Sequence, residues 1–549
     1  MKGAEFVAKV LKYNGVEFVS TLCGNGLHLL YPELVREGIR LIDVRHEQAA
    51  AYIADAYARL TGRLGVCIVS SGVAHVMALS GLVNSFFDCA PVLLITGASS
   101  GYGSGKGVFQ EFDQAGLASK ICKYSDVVSS GDELAYKLGK AISFAFSGTP
   151  GPVHLTIPEN VLREEVNSIG FKNIVVDSFS HLGQVKDTTV NKIVELLDKA
   201  TKPLLIVGGS LFYWGTYSAK EIIEFSRNFS IPIVVPIWDH GVIDEEYDGF
   251  IGVIGAASGG PKVLDETDLI ILVGARVDYR IGFLASPNVR KDVKIIRVDV
   301  DPVQVFQGIK PDLPVVAEPA SVFKKVREES LKQSVQAKSE WLIEARKRFN
   351  SFREKIESVP DKVDGKLTGK GLVKAIKPFT EDSIFLIDGG NIGQWAHMLA
   401  NKYPRNWLTC GASGVVGWGL SGAIGAKLAF PEKRVLLLSG DGAFGFNIGE
   451  LDTAIKHGIQ FVAVVAVDEA WGIVISSQKR LVGEEGVIAS KLTHLRYDRI
   501  AEAFGAKGFF VENAEDLKNA VLDGFESNKP TVIQVPIIWG GPRDLAKLG

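Results

Sequence analysis

The chain has 549 residues, too long for a single hydrophobic core, and its length implies about three domains. Hydrophobic residues make up 46%, charged residues 22%, and there are 59 glycines, the composition of an α/β chain with many tight turns. A formal net charge of −3 without a long basic run argues against nucleic acid or an acidic membrane surface as partner.

Five cysteines, Cys23, Cys67, Cys89, Cys122 and Cys410, show no CxxC spacing and are an odd number. That disfavours a disulfide framework or a thiolate zinc site and suits a reducing, cytoplasmic compartment. The nine histidines form no HxxxH or HExxH pair. The N-terminus reads as an amphipathic helix without a signal-peptide run, and no stretch of about 18 apolar residues is available to span a membrane.

Three α/β blocks follow in chain order, expected as residues 1–162, 188–326 and 366–549. The first alternates helices (Gly3–Asn14, Glu47–Leu60, Met77–Phe87) with short apolar strands at Gly65–Val69, Val92–Thr96 and Val153–Ile157. Strands separated by helices of that length predict parallel pairing in a sheet covered on both faces. Arg163 to about Asp187 is polar and weakly patterned, and reads as a linker. The middle block has strands at Pro203–Val207, Ile233–Val235, Leu269–Val273 and Lys294–Val298. A charged helix, about Ser334–Glu357, leads through Pro360–Lys370 into the third block, and the tail WGGPRDLAKLG reads as a surface extension. The fold class expected is α/β, three doubly wound parallel-sheet domains. The first and third blocks share a pattern of Ala/Gly-rich helix, short break, apolar strand and Ser-Gly turn, in YIADAYARLTGRLGVCIVSSG and GAIGAKLAFPEKRVLLLSGDG. Duplication would produce it, and so would helix–sheet packing that selects small residues.

Arg434–Gly472 carries the most chemistry. It reads as a strand (Arg434–Ser439), a glycine turn (Gly440–Gly445), an amphipathic helix (Asn447–His457) and a second strand (Gln460–Val467) ending at Asp468. In a βαβ unit the two strands run the same way. If they are neighbours their C-terminal ends lie roughly 5 Å apart, and Asp441 and Asp468 emerge together at the edge where open α/β sheets bind ligands. Two carboxylates there suit a Mg²⁺ ion bridging protein to a diphosphate. GDGAFG is also GxGxxG between a strand and a helix, so a dinucleotide fingerprint fits locally, and either Asp alone could simply cap a loop. Against the dinucleotide, a bare Asp441 inside the turn would repel a pyrophosphate unless a cation lay between.

Here the sequence resembles the signature of thiamine-diphosphate enzymes: GDG, then 25 to 30 residues, then an Asn-containing turn after an apolar strand. The resemblance implies that Asp441, Asp468 and the carbonyl of Ala470 hold Mg²⁺, with Gly440, Gly442 and Ala443 against the cofactor. This chain has Asp468 where the pattern has Asn, within VDEAWG. Asp is also a hard oxygen ligand, but it sets a further negative charge against the diphosphate.

In LIDVRHEQAAAYIADAYARLTG, Glu47 follows a strand and starts an Ala-rich helix. A carboxylic acid in an apolar cleft suits the proton transfer that activates thiamine through its aminopyrimidine, whereas a helix-start Glu in general serves as a capping and dipole residue. RHEQAA-x-x-A-x-AYAR-x-TG resembles the activating-glutamate segment of the acetolactate synthase group, which implies catalysis by Glu47 on a cofactor held by a neighbouring subunit. A homodimer or homotetramer follows. DGGNIGQW resembles a stretch that meets the diphosphate through Gly390, Asn391 and Ile392. GASGVVGWGLSGAIGA resembles the one that offers the Gly414 carbonyl to the aminopyrimidine and wedges the cofactor with Val416. VFQEFDQ resembles the loop that sets Phe109 and Gln110 over the reacting carbon. The turn usually written SGPG-x-x-N is here SSGVAHVM, without its Pro, second Gly and Asn.

In the middle block, VGARVDYR and RVDVDP resemble stretches that hold FAD in acetolactate synthase, or ADP or a CoA ester in the oxalyl-CoA decarboxylase and 2-hydroxyacyl-CoA lyase group. ALSGLVNSFFDCAP, GASS and FQEFDQ lean toward the second group. The resemblance therefore implies decarboxylation and carboligation of a small-molecule 2-oxo acid. An acyl-CoA lyase or decarboxylase is the alternative, and a nucleotide-binding homologue without turnover is a third.

Overall fold

The structure, a computed structural model, describes residues 1–103, 105–166, 185–214, 216–255 and 260–546. It contains three six-stranded sheets, each parallel throughout and flanked by helices, as the strand–helix alternation predicts. Most of the expected linker after Arg163 lies outside the described residues.

The first sheet comprises β1 (Phe18–Leu22), β2 (Arg40–Asp43), β3 (Gly65–Val69), β4 (Val92–Ala98), β5 (Tyr124–Val127) and β6 (Val153–Pro158), in the order β2-β1-β3-β4-β6-β5. The middle sheet comprises β7 (Pro203–Val207), β8 (Ile233–Pro236), β9 (Phe250–Ile254), β10 (Leu269–Val273), β11 (Lys294–Asp299) and β12 (Leu313–Val316), in the order β12-β11-β10-β7-β8-β9. Its order is that of dinucleotide-binding sheets, reversing between β7 and β10. A two-stranded hairpin, β13 (Lys362–Val363) and β14 (Lys366–Leu367), precedes the third sheet. That sheet comprises β15 (Ser383–Asp388), β16 (Trp407–Thr409), β17 (Arg434–Gly440), β18 (Val462–Val467), β19 (Lys507–Phe510) and β20 (Thr531–Pro536), in the order β16-β15-β17-β18-β20-β19. First and third sheets thus share one permutation of strands. The faint sequence likeness between the two blocks is a likeness of topology.

Short strands with little pattern, such as β5 and β12, are absent from the sequence reading, because edge strands have one neighbour and need no continuous apolar run. Three further corrections come from packing. Gly440–Gly445 is not a turn: Asp441–Phe446 is a short helix, and the next helix begins only at Glu450. The charged helix ends at Glu357 as predicted but begins later, at Ser339, and a separate helix, Pro319–Lys332, precedes it. The tail is not a surface extension. Trp395 Nε1 donates to the Gly540 carbonyl at 3.0 Å, Ser476 Oγ lies 3.0 Å from Asp544, and Leu545 is buried.

The helix Glu47–Thr61 joins the first and third blocks. It starts on His46, whose side chain accepts the Gln48 N–H, and stops at Gly62, which takes φ +70° and returns its N–H to Ala58. Six of its alanines are fully buried, and it packs on Val73–Phe87 on one side and on Gly419–Ala429 on the other. Glycines permit the approach: a Cβ on Gly81 would stand 2.6 Å from the Gln48 carbonyl oxygen, and one on Gly425 would stand 2.6 Å from that of Ile53. Within this interface Asp55 is fully buried and accepts from Asn84, Ser85 and Trp418 Nε1. Arg59, likewise buried, lies 3.5 Å from Asp55 and 3.4 Å from Asp88 and donates to the Thr409 carbonyl. Such charges stay inside a protein only when paired and hydrogen-bonded. No helix among the described residues is long and apolar enough to cross a membrane.

Candidate active site

The parallel pairing of β17 with β18 sets Gly440 opposite Ala466, so the residues that follow each strand leave the sheet side by side, as the sequence predicts. Asp441 is 3% exposed. Its Oδ1 accepts the Gly442 N–H at 2.8 Å and its Oδ2 accepts the Glu469 N–H at 2.9 Å, so one carboxylate ties together the segments that follow two neighbouring strands. Burial pushes its pKa up to about 6, against those backbone donors. Asp468 is pushed up to about 7, first by burial and then by the charge of Asp441 beside it. A half-buried acid raised by the charge of a buried one beside it is the electrostatic pattern that a cation between them would relieve.

Ala470 forms an antiparallel bridge with Lys491, held by Trp471 N–H to the Ser490 carbonyl (2.9 Å) and Leu492 N–H to the Glu469 carbonyl (2.7 Å). Because the flanking residues make those bonds, the N–H and C=O of Ala470 itself face the opposite side, where Ala470 lines a cleft with Asp441 and Asp468.

The cleft has a volume of about 250 Å³, just under the roughly 300–1,000 Å³ of sites that take a drug-sized ligand. Its walls include Gly390, Asn391, Ile392, Gly414, Val416, Gly440, Gly442 and Ala443. Gly389 takes φ +98° and its Cβ would stand 2.9 Å from the Gly440 nitrogen, so only glycine lets the two strand ends meet there. A Cβ on Gly442 would meet the Trp471 ring at 2.6 Å, while its N–H is committed to Asp441. Asn391 Nδ2 is buried without a hydrogen-bond partner. Val416 is half-buried and Gly414 exposed at φ +67°.

Two contributors escaped the sequence reading. Trp238, from the middle block, lines the cleft at φ +63° and accepts the Thr409 hydroxyl at its carbonyl. Asp388, at the end of β15, accepts the Gly419 N–H at 2.6 Å and is pushed up to about 6 by burial. It links the DGGN turn to the segment carrying Gly414 and Val416. An acid closing an apolar strand before Gly-Gly was the available signal. The same segment is anchored on the first block, Ser413 Oγ donating to Asn84 Oδ1 (2.6 Å) and the Ala412 N–H to Asp88 Oδ1 (2.9 Å).

Every residue lining the cleft belongs to the third block except Trp238. Glu47, Phe109 and Gln110 do not line it. They lie on the C-terminal edge of the first sheet, Glu47 beyond β2 and the other two beyond β4. The backbone N–H groups of Arg45 and His46 are held by the buried Glu450.

Comparison with known proteins finds a family match within each of the three sheet-bearing parts of the chain. The thiamine pyrophosphate enzyme N-terminal TPP binding domain matches residues 1–117, the central domain matches 190–326, and the C-terminal TPP binding domain matches 388–535. The chain belongs to the thiamine pyrophosphate enzymes. Thiamine pyrophosphate is thiamine diphosphate, so the family brings the cofactor that the GDG segment implied. The chain is 29% identical to the acetolactate synthase of Arthrospira platensis, over 97% of this chain and 94% of that one. It is 27% identical to the acetolactate synthase large subunit of Haemophilus influenzae (98% and 94%) and to the probable acetolactate synthase large subunit of Methanococcus aeolicus (98% and 92%). This thiamine pyrophosphate enzyme is therefore acetolactate synthase-like along nearly its whole length.

Proposed function

We propose that this thiamine pyrophosphate enzyme is Mg²⁺-dependent and decarboxylates a 2-oxo acid such as pyruvate, then joins the remaining fragment to a carbonyl acceptor. The observation that carries the reading is the pair of carboxylates at adjoining strand ends, Asp441 buried and Asp468 half-buried, lining one cleft with Ala470. Among the described residues no cluster of three His, Cys, Asp or Glu side chains could hold a metal. A two-carboxylate site completed by a backbone carbonyl and by diphosphate oxygens fits that inventory, since Mg²⁺ prefers few protein ligands plus substrate phosphate.

In this reading residues 366–549 hold the diphosphate and the metal, residues 1–162 grip the pyrimidine, and 188–326 form the central domain. Asp441, Asp468 and Ala470 hold the ion. The backbone around Gly390, Asn391, Ile392, Gly440 and Ala443 surrounds the diphosphate, and Gly442 leaves room for Trp471. The Gly414 carbonyl receives the aminopyrimidine, and Val416 supplies the bulk under it. When bound, thiamine diphosphate supplies the electron sink for breaking and forming bonds beside a carbonyl. Glu47 moves the proton that activates the ring, and because it lies off its own chain's cleft, a second subunit delivers it. Phe109 and Gln110, on the same sheet edge, then face the substrate.

An adenine nucleotide, as FAD or ADP, over the middle sheet has the strand order in its favour. The two arginines of VGARVDYR are engaged elsewhere: Arg276 donates to the Phe86 carbonyl and to Cys89 Sγ, and Arg280 pairs with Asp278 and Asp239. No step is assigned to a nucleotide.

The deciding assay supplies purified protein with thiamine diphosphate, Mg²⁺ and either pyruvate or acyl-CoA thioesters. Turnover of pyruvate is expected, and cleavage of thioesters alone would replace this reading with a 2-hydroxyacyl-CoA lyase or oxalyl-CoA decarboxylase. Glu47→Gln should lower kcat by about 10²- to 10⁴-fold, whereas indifference of the wild type to added cofactor would sink the proposal altogether.

A further inference from the structure

The SSGVAHVM turn, where this chain departs from its family's pattern, covers a buried polar bracket. Gln114 is 4% exposed, and its carboxamide is fully engaged with protein. Its Oε1 accepts the Gly72 N–H at 2.7 Å, and its Nε2 lies 2.9 Å from Thr96 Oγ1, 3.1 Å from Thr156 Oγ1 and 3.2 Å from the Gly97 carbonyl. Those partners follow β3 or lie on β4 and β6, so one side chain binds three strands at the edge bearing the substrate-side loop. His154 supports the bracket from within, 2.8 Å from Thr96 Oγ1 and 2.9 Å from Ser125 Oγ, and the His75 ring packs against it, tilted by 49° with centroids 4.8 Å apart.

Gln110 presses on the other side of Gly72. A Cβ on Gly72 would stand 2.3 Å from Gln110 Cβ and 2.9 Å from the Gln110 carbonyl oxygen. Gln110 itself adopts φ +56°, which costs energy for a residue with a side chain and persists only where the surroundings impose it. A directed chain of hydrogen bonds then orients its amide. Asn25 Nδ2 donates to Ser71 Oγ (3.4 Å), and Ser71, with one proton to give, donates to Gln110 Oε1 (3.3 Å). The N–H donors of the Gln110 amide are left for an acceptor, the right polarity for a carboxylate or carbonyl oxygen.

We infer that Gln114 is a positioning residue for Gln110: by holding Gly72 from beneath, it fixes the surface on which Gln110 packs and presents the Gln110 N–H donors to an oxygen of the donor substrate. The inference rests on the 2-oxo acid reading of the same site. Its test is a double-mutant cycle in the full-length protein, with KM and kcat for the 2-oxo acid measured alongside cofactor affinity. Quenching of tryptophan fluorescence reads that affinity, since Trp238 and Trp471 line the cleft.

Gln114→Ala should raise KM for the donor about tenfold, the worth of one hydrogen bond to a charged oxygen, with kcat and cofactor affinity nearly unchanged. Gln110→Ala should do the same, and the double variant should be no worse than Gln110→Ala. Additive losses, or an unaltered KM in Gln114→Ala, would overturn the assignment. Amide hydrogen exchange on Gln114→Ala supplies the independent arm. Faster exchange confined to Gly72 and residues 105–113 is expected, while faster exchange throughout the first sheet would make Gln114 a fold determinant and end the proposal. A wild type that ignores 2-oxo acids would instead refute the function proposed above, leaving the exchange result to decide whether Gln114 holds this loop.

Discussion

At the scale of single residues, buried polar groups in this protein fall into those that are paired and those that wait. His75 is fully buried, both ring nitrogens lack a partner, and burial pushes its pKa down to about 4. In the unfolded chain the same ring titrates near 6.5. The folded form therefore binds fewer protons between these values. The stability this contributes is complete above about pH 6.5 and is lost as pH falls through about 4. His75→Phe keeps an aromatic ring against His154 and Phe112 and removes the titration. Its melting temperature should fall less steeply from pH 6.5 to 4 than that of the wild type, and identical acid slopes would contradict the assignment. The two strand-end carboxylates answer a different question. Asp441→Asn loses charge at the group that the segments after both strands grip, and should weaken thiamine diphosphate retention in Mg²⁺ by about tenfold or more in equilibrium dialysis. Asp468→Asn keeps an oxygen ligand and should stay within about threefold of the wild type.

At the scale of elements, the helix Glu47–Thr61 is the joint of the molecule. Its alanines and the glycines facing it were plain in the sequence, but as composition without a direction. A helix apolar nearly all round has no face to read, so nothing in the periodicity told which neighbours it would meet. The structure shows a three-helix layer in which Gly81 and Gly425 admit the helix backbone. Gly425→Ala should force Ile53 and Ala56 away and lower stability by about 1–3 kcal/mol, read as a drop in melting temperature with the two sheets' own packing intact. Should that variant melt like the wild type, the layer is looser than its distances indicate. The short helix Asp441–Phe446 makes the opposite point: three glycines in GDGAFG concealed it, because its reason for forming is the neighbouring turn and not helix propensity.

At the scale of the whole molecule, cleft and acid lie on different blocks. Val73, Val76, Met77, Phe109 and Phe112 are exposed along one edge of the first block, and Phe446 and Val474 beside the cleft of the third. Two copies that cover these faces reciprocally would complete two sites at once. Mixing Glu47→Gln chains with Asp441→Asn chains tests this directly. If each site takes Glu47 from one subunit and Asp441 from the other, every hybrid dimer carries one intact site. Activity near a quarter of the wild-type value should then appear from two inactive parents after random exchange. No recovery despite verified hybrids would place both residues in the same subunit's site.

Local signals sufficed for the parallel α/β class, the three blocks and the strand-end acids Asp441 and Asp468, because strand–helix alternation and a glycine turn after an apolar strand are properties of neighbours along the chain. Trp238 and the bracket around Gln114 could not be read that way. Each owes its place to segments tens to hundreds of residues distant, and a lone Trp or Gln looks the same in any loop. The tail shows the reason most simply: WGGPRDLAKLG is polar enough to pass for surface, and only the fold brings Trp395 to the Gly540 carbonyl. Pattern along a chain records which residues must avoid water, whereas close packing decides which of them meet.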